Sequence, residues 1–399
     1  MKRTKIGIFG LGVVGKGVYD LLKGMPEFEV GAIVVKDKSK PRNVEEEIIT
    51  YDKRDILDDL DTDIVIELID DADEAYDIVT TSLKKGKAVI SANKKMISAY
   101  LGELITLQKD TQTPFLYEGA VCGSIPIIKN LEDYYANDIV LSLTGIVNGS
   151  TNYLLTKAFE EKVPFSEVVH RAKELGYLES DPSLDINGYD ARSKLKILIA
   201  HTFGKIVELD SILMIGIQNI SDADVDFAKE QNLKIKLIAK SYTYKGNHIN
   251  LVVPMFISDQ SDFYHINDVF NGVVLNSQLS DKHIYIGMGA GSLPTAASII
   301  QDVFLIERKY SYAYKKLKTT TDFSINYPSY KIYISYSGTN HFLSEVEQHF
   351  SNVIEKGVLN NNSYIIGEMK HEELCLVQHK YEGDGISAIL FDTIHPNNQ

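Results

Sequence analysis

Cysteine is scarce in this chain: Cys122 and Cys375 are its only two, far apart and without a CxxC or CxxH partner. Neither a disulfide framework nor a zinc site is signalled, and a reducing cytoplasm is the compartment that fits. Long hydrophobic runs are lacking too. No stretch of eighteen apolar residues occurs, and no basic region is followed by an apolar stretch, since Ile6 to Val14 leads straight into a glycine-rich turn, so neither a membrane span nor an export signal is expected. Positive charge is in deficit, with 41 Lys and Arg against 55 Asp and Glu and a formal net charge of −14. Such a balance repels a phosphate backbone, so nucleic acid is not an expected partner and an anionic ligand must meet a local positive site.

What is present reads as ordinary globular composition, 44% hydrophobic and 24% charged over 399 residues, enough for two or three domains. Residues 4–9 form an expected buried strand, and Gly10-Leu11-Gly12-Val13-Val14-Gly15 follows at once before a helical pattern through Leu22. Strand before and helix after turn a bare G-x-G-x-x-G into a dinucleotide cradle, where glycines allow close backbone approach and the helix start meets the phosphates. The structural alternative is a tight strand-to-helix turn. A second expected strand, Val30 to Val35, ends at Lys36, where an NAD-selective fold carries an acid; Asp37, Lys38, Lys40 and Arg42 follow. Lys36 and Lys38 could hold the 2′-phosphate of NADP. In the competing reading the run is merely solvated and Asp37 reaches the ribose of NAD.

The alternation continues with strands at Ile64–Leu68, Ala88–Ile90 and Phe115–Tyr117 and helices at 74–85 and 96–109, which predicts a doubly wound α/β domain. Ser91-Ala-Asn93-Lys94-Lys95 stands at a strand end, where such sheets carry chemistry, although a Lys-Lys pair opening a helix is usually solvated. Beyond a glycine-rich turn at Glu118–Pro126, an α+β pattern follows: a strand at Asp138–Val147, and a hairpin of Lys234–Tyr244 and His248–Phe256 about Lys245-Gly-Asn.

The most informative stretch is Gly176 to Ala200, where Glu179, Asp181, Asp185 and Asp190 converge on one helix start. A capped, solvated entrance accounts for Asp190 but poorly for four acids. Asp190 and Lys194 share a helix face that continues into Ile197 and Leu198. A surface ion pair is the plain reading of that spacing. A lysine at a buried helix entrance is instead a candidate acid and base, since desolvation and a cationic neighbour make an ammonium easier to deprotonate.

Gly176-Tyr-x-Glu-x-Asp-Pro-x-x-Asp-x-x-Gly-x-Asp-x-x-x-Lys194 resembles the signature of the homoserine dehydrogenases, and Ser91-Ala-Asn93-Lys94 resembles their Thr-Ala-Asn-Lys. The resemblance spans roughly residues 5–310. It implies reversible oxidation of L-homoserine to L-aspartate 4-semialdehyde with NADP, or NAD, in a dimer or higher homo-oligomer. It makes Lys194 the proton-transfer lysine, with Lys94 contacting cofactor and substrate. Glu179 and Asp190 become substrate ligands, and Asp185 orients Lys194. It carries cofactor contacts onto Gly145, Gly176 and Gly291, since Gly145-Ile-Val-Asn-Gly-Ser-Thr-Asn152 matches a family segment beside the nicotinamide. A sodium ion is implied at Glu118, Val121, Gly123 and Ile125; a simple interdomain hinge is the alternative for that turn. Two departures stand out. Glu67-Leu-Ile-Asp70-Asp71 replaces Glu-Leu-Ile-Gly-Gly, and Cys122 and Ser124 stand where glycines are usual.

The expected domains are a Rossmann-type unit of residues 1–128 plus about 288–314, a mixed-sheet substrate and dimerisation domain of 129–287, and a small ACT-like module at 327–399 after a polar linker at 315–326. For the module the sequence predicts a strand at Lys331–Ser335, a helix at Phe342–Val353, and strands around Ser363–Gly367 and Leu374–His379. Gly338-Thr-Asn-His-Phe lacks the proline-defined turn of ACT modules, so insensitivity or weak sensitivity to L-threonine is expected. Two rival readings are a dehydrogenase of the same plan acting on another small amino or oxo acid, and an NADP sensor without turnover.

Overall fold

The computed structural model describes residues 3–161, 163–174, 181–289, 291–317, 327–337, 340–380 and 385–392, with the side chains of 340–343 excepted. In chain order the first elements are β1 (Thr4–Phe9), α1 (Val13–Leu22), β2 (Phe28–Val34), β3 (Ile49–Thr50), α2 (Arg54–Leu57), β4 (Ile64–Glu67), α3 (Ala72–Lys84), β5 (Ala88–Ser91), α4 (Lys94–Thr111), β6 (Phe115–Leu116) and α5 (Ile127–Asp133). Then come β7 (Val140–Ile146), α6 (Gly149–Glu160), α7 (Phe165–Glu174), α8 (Ser183–Ile186), α9 (Tyr189–Phe203), β8 (Leu213–Met214), α10 (Asp222–Glu230), β9 (Lys234–Tyr244), β10 (Asn247–Ile257), β11 (Phe270–Ser277) and β12 (Asp281–Met288). The chain continues through α11 (Ser292–Glu307), β13 (Ser329–Tyr336), α12 (Asn340–Glu347), β14 (Asn352–Leu359), β15 (Asn362–Lys370), α13 (His371–Lys380) and β16 (Ser387–Phe391). Among the described residues no helix is long and apolar enough to cross a membrane.

Two compact units result. The first takes Met1–Asn137, Lys196–Ile206 and Gly287–Leu317, the second Asp138–Leu195, Val207–Ile286 and Lys318–Gln399. In the first, the strands form one sheet in the order β3-β2-β1-β4-β5-β6, with all neighbours parallel, which is the Rossmann arrangement. Strands β4 and β5 are buried throughout because helices cover both faces of such a sheet, and each suits that burial with three apolar residues before a polar last one, Glu67 and Ser91. Helix α3 starts where the Asp71 carboxylate accepts the N–H groups of Asp73 (3.1 Å) and Glu74 (2.9 Å). Thus Asp71, one of the two acids in place of glycine, is a helix cap.

The second unit is built on a mixed sheet ordered β12-β11-β7-β9-β10-β16-β13-β15-β14. Its β9–β10 hairpin turns on Lys245 (φ 46°) and Gly246 (φ 86°), both left-handed, as a two-residue type I′ turn requires. The last six elements run β-α-β-β-α-β, a ferredoxin-like order. They are not a separate body: β16 pairs in parallel with β10 through Met255–Leu390 and Phe256–Phe391, and one core runs from Ile249 and Val253 into Ile332, Ile365, Leu374 and Leu390.

Two expectations for this region are corrected. Residues 374–379 lie in α13, not in a strand, because Leu374 and Val377 are buried at helical spacing after the acidic first turn Glu372-Glu373. The expected helix to Val353 stops at Glu347, since Ser351 N–H donates to Glu368 O (2.8 Å) and β14 then pairs with β15. The expected linker at 315–326 and the turn at Gly338–Phe342 fall largely outside the described residues.

Candidate active site

In the first unit the glycine turn leaves the start of α1 open. Gly12 and Val13 are exposed, Gly12 offers no side-chain cap, and a Cβ on Gly12 would meet nothing within 4 Å. The other two glycines are confined: a Cβ on Gly10 (φ 95°) would lie 2.7 Å from Leu68 O, and one on Gly15 only 2.3 Å from Gly10 O. Free N–H groups on an open helix start are an anion cradle, and Leu11, Val13 and Val14 flank it. Gly291, the α11 N-cap at φ 124°, is exposed, and Ser292 Oγ next to it donates to Val13 O (2.7 Å).

After β2 the Asp37 carboxylate accepts both the N–H (2.8 Å) and the hydroxyl (2.7 Å) of Ser39, which hold it below the usual carboxylate range. Lys36 is exposed, and the Lys38 ammonium sits 4.8 Å from the Tyr51 ring centre.

At the ends of β4 and β5 lies a group the sequence reading passed over. Glu67 is fully buried and accepts the Ser91 hydroxyl (2.5 Å) and the Ile69 N–H (2.7 Å); burial pushes it up to about 7. Ser91 Oγ in turn accepts Asn93 N–H (3.1 Å), while Asn93 donates to Ile69 O (3.0 Å) and caps α4 through Met96 N–H (3.0 Å). Ser91, Asn93 and the first helical residue Lys94 are therefore fixed by one network rooted at Glu67. The signal was visible in Glu67 itself, an acid closing an otherwise apolar strand.

In the turn before α5, the Glu118 carboxylate accepts the N–H groups of Ile128 (2.8 Å) and Lys129 (2.7 Å), and burial raises it to about 7. Oε1 takes the Ile128 N–H and Oε2 that of Lys129, and a carboxylate oxygen has a second lone pair. The carbonyls of Gly123 and Ile125 each accept one hydrogen bond, from Ser298 Oγ (2.8 Å) and Ile127 N (2.8 Å), and retain a second lone pair; Val121 completes this oxygen-bearing turn.

In the second unit Asp190 and Lys194 occupy the first turns of α9. The Lys194 ammonium is buried, 2.7 Å from Asp190 Oδ2, and donates to Val147 O (2.9 Å). Asn148 makes the arrangement a cluster: its Nδ2 donates to Asp185 Oδ1 (2.7 Å) and Asp190 Oδ2 (2.8 Å), while its Oδ1 accepts Thr151 N–H and caps α6. Two carboxylates, an amide and an ammonium thus meet at the starts of α6 and α9. Gly145 lies buried in β7 opposite Val273 and Ala239, where a Cβ would approach Gly272 O at 3.0 Å. Asn152 is a structural residue: it donates to Ile266 O and Phe270 O and accepts the buried Lys236 ammonium (2.8 Å). Gly176 and Glu179 lie outside the described residues.

Asn148 was not singled out from the sequence, because a polar bridge between distant loops has no periodic signature. Converting Asn148 to Ala should lower kcat/KM by about ten- to a hundredfold, from charge-assisted bonds of roughly 1.5–3 kcal/mol, and cost about 1 kcal/mol of stability through the lost cap. Asn148→Asp keeps the cap but not the donors, so wild-type turnover in that variant would show the bridge to be idle.

Comparison with known proteins accounts for both halves. The model of the homoserine dehydrogenase NAD-binding domain matches residues 10–118, and that of homoserine dehydrogenase itself matches residues 126–304. The chain is 34% identical over 318 residues to the homoserine dehydrogenase of Bacillus subtilis, covering 77% of this chain and 73% of the relative. It is 32% identical over 383 residues to that of Helicobacter pylori, covering 90% of each. Among solved structures, the homoserine dehydrogenase of Thiobacillus denitrificans matches with a TM-score of 0.84 at 24% identity, covering 98% of both chains. A hyperthermophilic archaeal homoserine dehydrogenase mutant in complex with NADPH matches with a TM-score of 0.67 at 26% identity, covering 78% of this chain and all of that one. The chain belongs to the homoserine dehydrogenase family.

Proposed function

We propose that the chain interconverts L-homoserine and L-aspartate 4-semialdehyde with NADP as the preferred cofactor, Lys194 moving the proton. Family membership makes it an oxidoreductase acting on a CH–OH group. The observation that supports the assignment of roles is the buried Lys194 ammonium, held by Asp190 and Val147 O in a cluster bridged by Asn148. In the reducing direction the cofactor supplies a hydride to the aldehyde carbon. Lys194 gives its proton to the aldehyde oxygen and is reprotonated from solvent, so charge does not accumulate on oxygen. Glu179 and Asp190 hold the ammonium and hydroxyl ends of the substrate, Asp185 orients Lys194, and Lys94 stabilises negative charge on the reacting oxygen. NADPH oxidation on adding aspartate 4-semialdehyde tests the reading; a rate no higher than without the aldehyde would end it.

The pyrophosphate belongs at Gly10, Gly12 and Gly15, with Ser91, Asn93, Gly145, Gly176 and Gly291 around the rest of the cofactor. Preference for NADP is supported by the exposed Lys36 that follows β2 and by the NADPH complex of the archaeal relative. Replacing Lys36 and Lys38 with Ala should lower kcat/KM for NADPH about fivefold per exposed contact, near 1 kcal/mol each, and leave NADH use unchanged. Equal kcat/KM for the two cofactors in the parent protein would remove the premise. A sodium ion suits the carbonyls of Val121, Gly123 and Ile125 together with the Glu118 carboxylate, where it would stiffen the turn. The last six elements are read as an ACT-like module on their ferredoxin-like order. Exposed Ile139 and Leu141 at the β7 end, with Ile284 and Ile286 on β12, support homo-oligomerisation through this sheet. Two free cysteines fit a cytoplasmic protein.

A further inference from the structure

A cavity of about 620 Å³, mouth included, lies inside the second unit between the loop after β8, the start of α9 and the terminal elements α13 and β16. Its apolar floor is made by Met214, Leu374, Val377, Ile386 and Ala388, all buried. Its polar rim is made by Asn187, Gln218 and Gln378. The two sides are tied together where Asn219 Nδ2 donates to Ile386 O (2.9 Å).

Among the described residues, none of the side chains lining this cavity is an acid or a base. An amino-acid zwitterion or a carboxylate entering it would lose hydration and gain no opposite charge, which costs several kcal/mol per ion. Primary amides instead present a donor and an acceptor side by side. A matching ligand has an apolar body for the floor and a carboxamide- or lactam-like edge for the rim.

The cavity also touches the segment that carries the Asp190–Lys194 pair. Asn187 and Tyr189 both line it and flank Gly188, whose φ of 88° fixes the bend into α9; a Cβ on Gly188 would pack against Met214 Cγ at 3.3 Å. From the other side, Ile217 N–H donates to Ile186 O (2.6 Å) and holds the β8 loop against the end of α8. Displacing Met214 therefore pushes on the bend one residue before Tyr189 and two before Asp190.

The geometry points to a second ligand site here, for a small uncharged molecule with an apolar body and an amide-like edge, whose occupancy shifts substrate affinity through the bend at Gly188. The binding stands independently of the reaction proposed above, whereas the shift in affinity rests on it. Protein labelled with ¹³C in its methionine methyl groups and saturated with NADPH is titrated with indole-3-carboxamide. The Met214 signal, assigned by its loss in Met214→Leu, should move saturably with a Kd of about 1–10 mM, as expected for so small a ligand. Indole-3-carboxylate and L-threonine should each act at least tenfold more weakly. Two substitutions that fill the floor, Val377→Trp and the milder Ala388→Leu, should abolish the shift.

In turnover assays the carboxamide should raise KM for aspartate 4-semialdehyde about fivefold, leave KM for NADPH alone, and do neither in Ala388→Leu. A Met214 signal that stays still, a carboxylate that binds as well as the amide, or a shift that survives in a folded Ala388→Leu protein overturns the site. A saturable shift with unchanged KM overturns the coupling. Absence of any semialdehyde reduction would fault the proposed reaction instead, and the Met214 titration would still decide the site.

Discussion

Replacing Lys194 with alanine is expected to lower kcat for aspartate 4-semialdehyde reduction by about a hundred- to ten-thousand-fold while NADPH binding and the unfolding midpoint stay near their parent values. The effect is large because Lys194 is the buried cation of its cluster and, in the proposed reaction, its proton is the one delivered to the substrate oxygen. Removing it leaves Asp190 held by Asn148, so the carboxylate keeps a donor and the fold survives. Cofactor binding is spared because the glycine turn belongs to the other unit. Steady-state kinetics with NADPH titrated separately by fluorescence separates the two outcomes. A variant retaining more than about a tenth of parental kcat would be too active for a lysine in that role.

The second large effect is on stability against pH. Glu67 and Glu118 are buried and raised from 4.5 to about 7, so between those values the folded chain holds protons that the unfolded chain has released. Stability therefore falls as pH rises through this window; the contribution is fully present below 4.5 and gone above about 7. Each group accounts for roughly 3.5 kcal/mol, a shift of about 2.5 pKa units at about 1.4 kcal/mol apiece, to order of magnitude. Asp52, Asp59 and Asp138 are lowered to about 2 and act only at more acid pH. His371 is lowered by burial and works in the opposite sense below the ordinary imidazole range, so the variants must be compared with the parent. Urea unfolding of cofactor-free protein from pH 5 to 8 should show the decline, and Glu67→Gln and Glu118→Gln should each remove their own share. Parallel curves for parent and both variants would contradict this account.

The sequence exposed what repeats and hid what is paired across distance. β1, β4 and β5 were legible because a parallel strand covered on both faces is an unbroken apolar run, and the hairpin at Lys245-Gly246 was legible from its turn residues. β14 was not: its side chains are mostly exposed, so Asn352–Leu359 carries no apolar alternation and is a strand only because β15 offers it hydrogen bonds. α13 misled because Leu374, Leu376 and Val377 satisfy a short strand as readily as a helix when neighbours are unknown. At the site, Lys194 and Asp190 could be paired from their spacing alone. That Asn148 joins Asp185 to Asp190, and that Glu67 anchors Ser91, depends on chain segments brought together by the fold, which local pattern does not encode.

The pairing of β16 with β10 has a practical consequence for anyone wishing to study the catalytic portion alone. Cutting the chain ahead of β13 would strip β10 of its neighbour at Met255 and Phe256, both buried in the intact protein, and lay bare a hydrophobic strand edge with open amides and carbonyls. Such an edge recruits further strands, so the shortened protein should precipitate or form β-linked aggregates. A useful truncation would need a charged residue or a proline introduced at Met255 to blunt it.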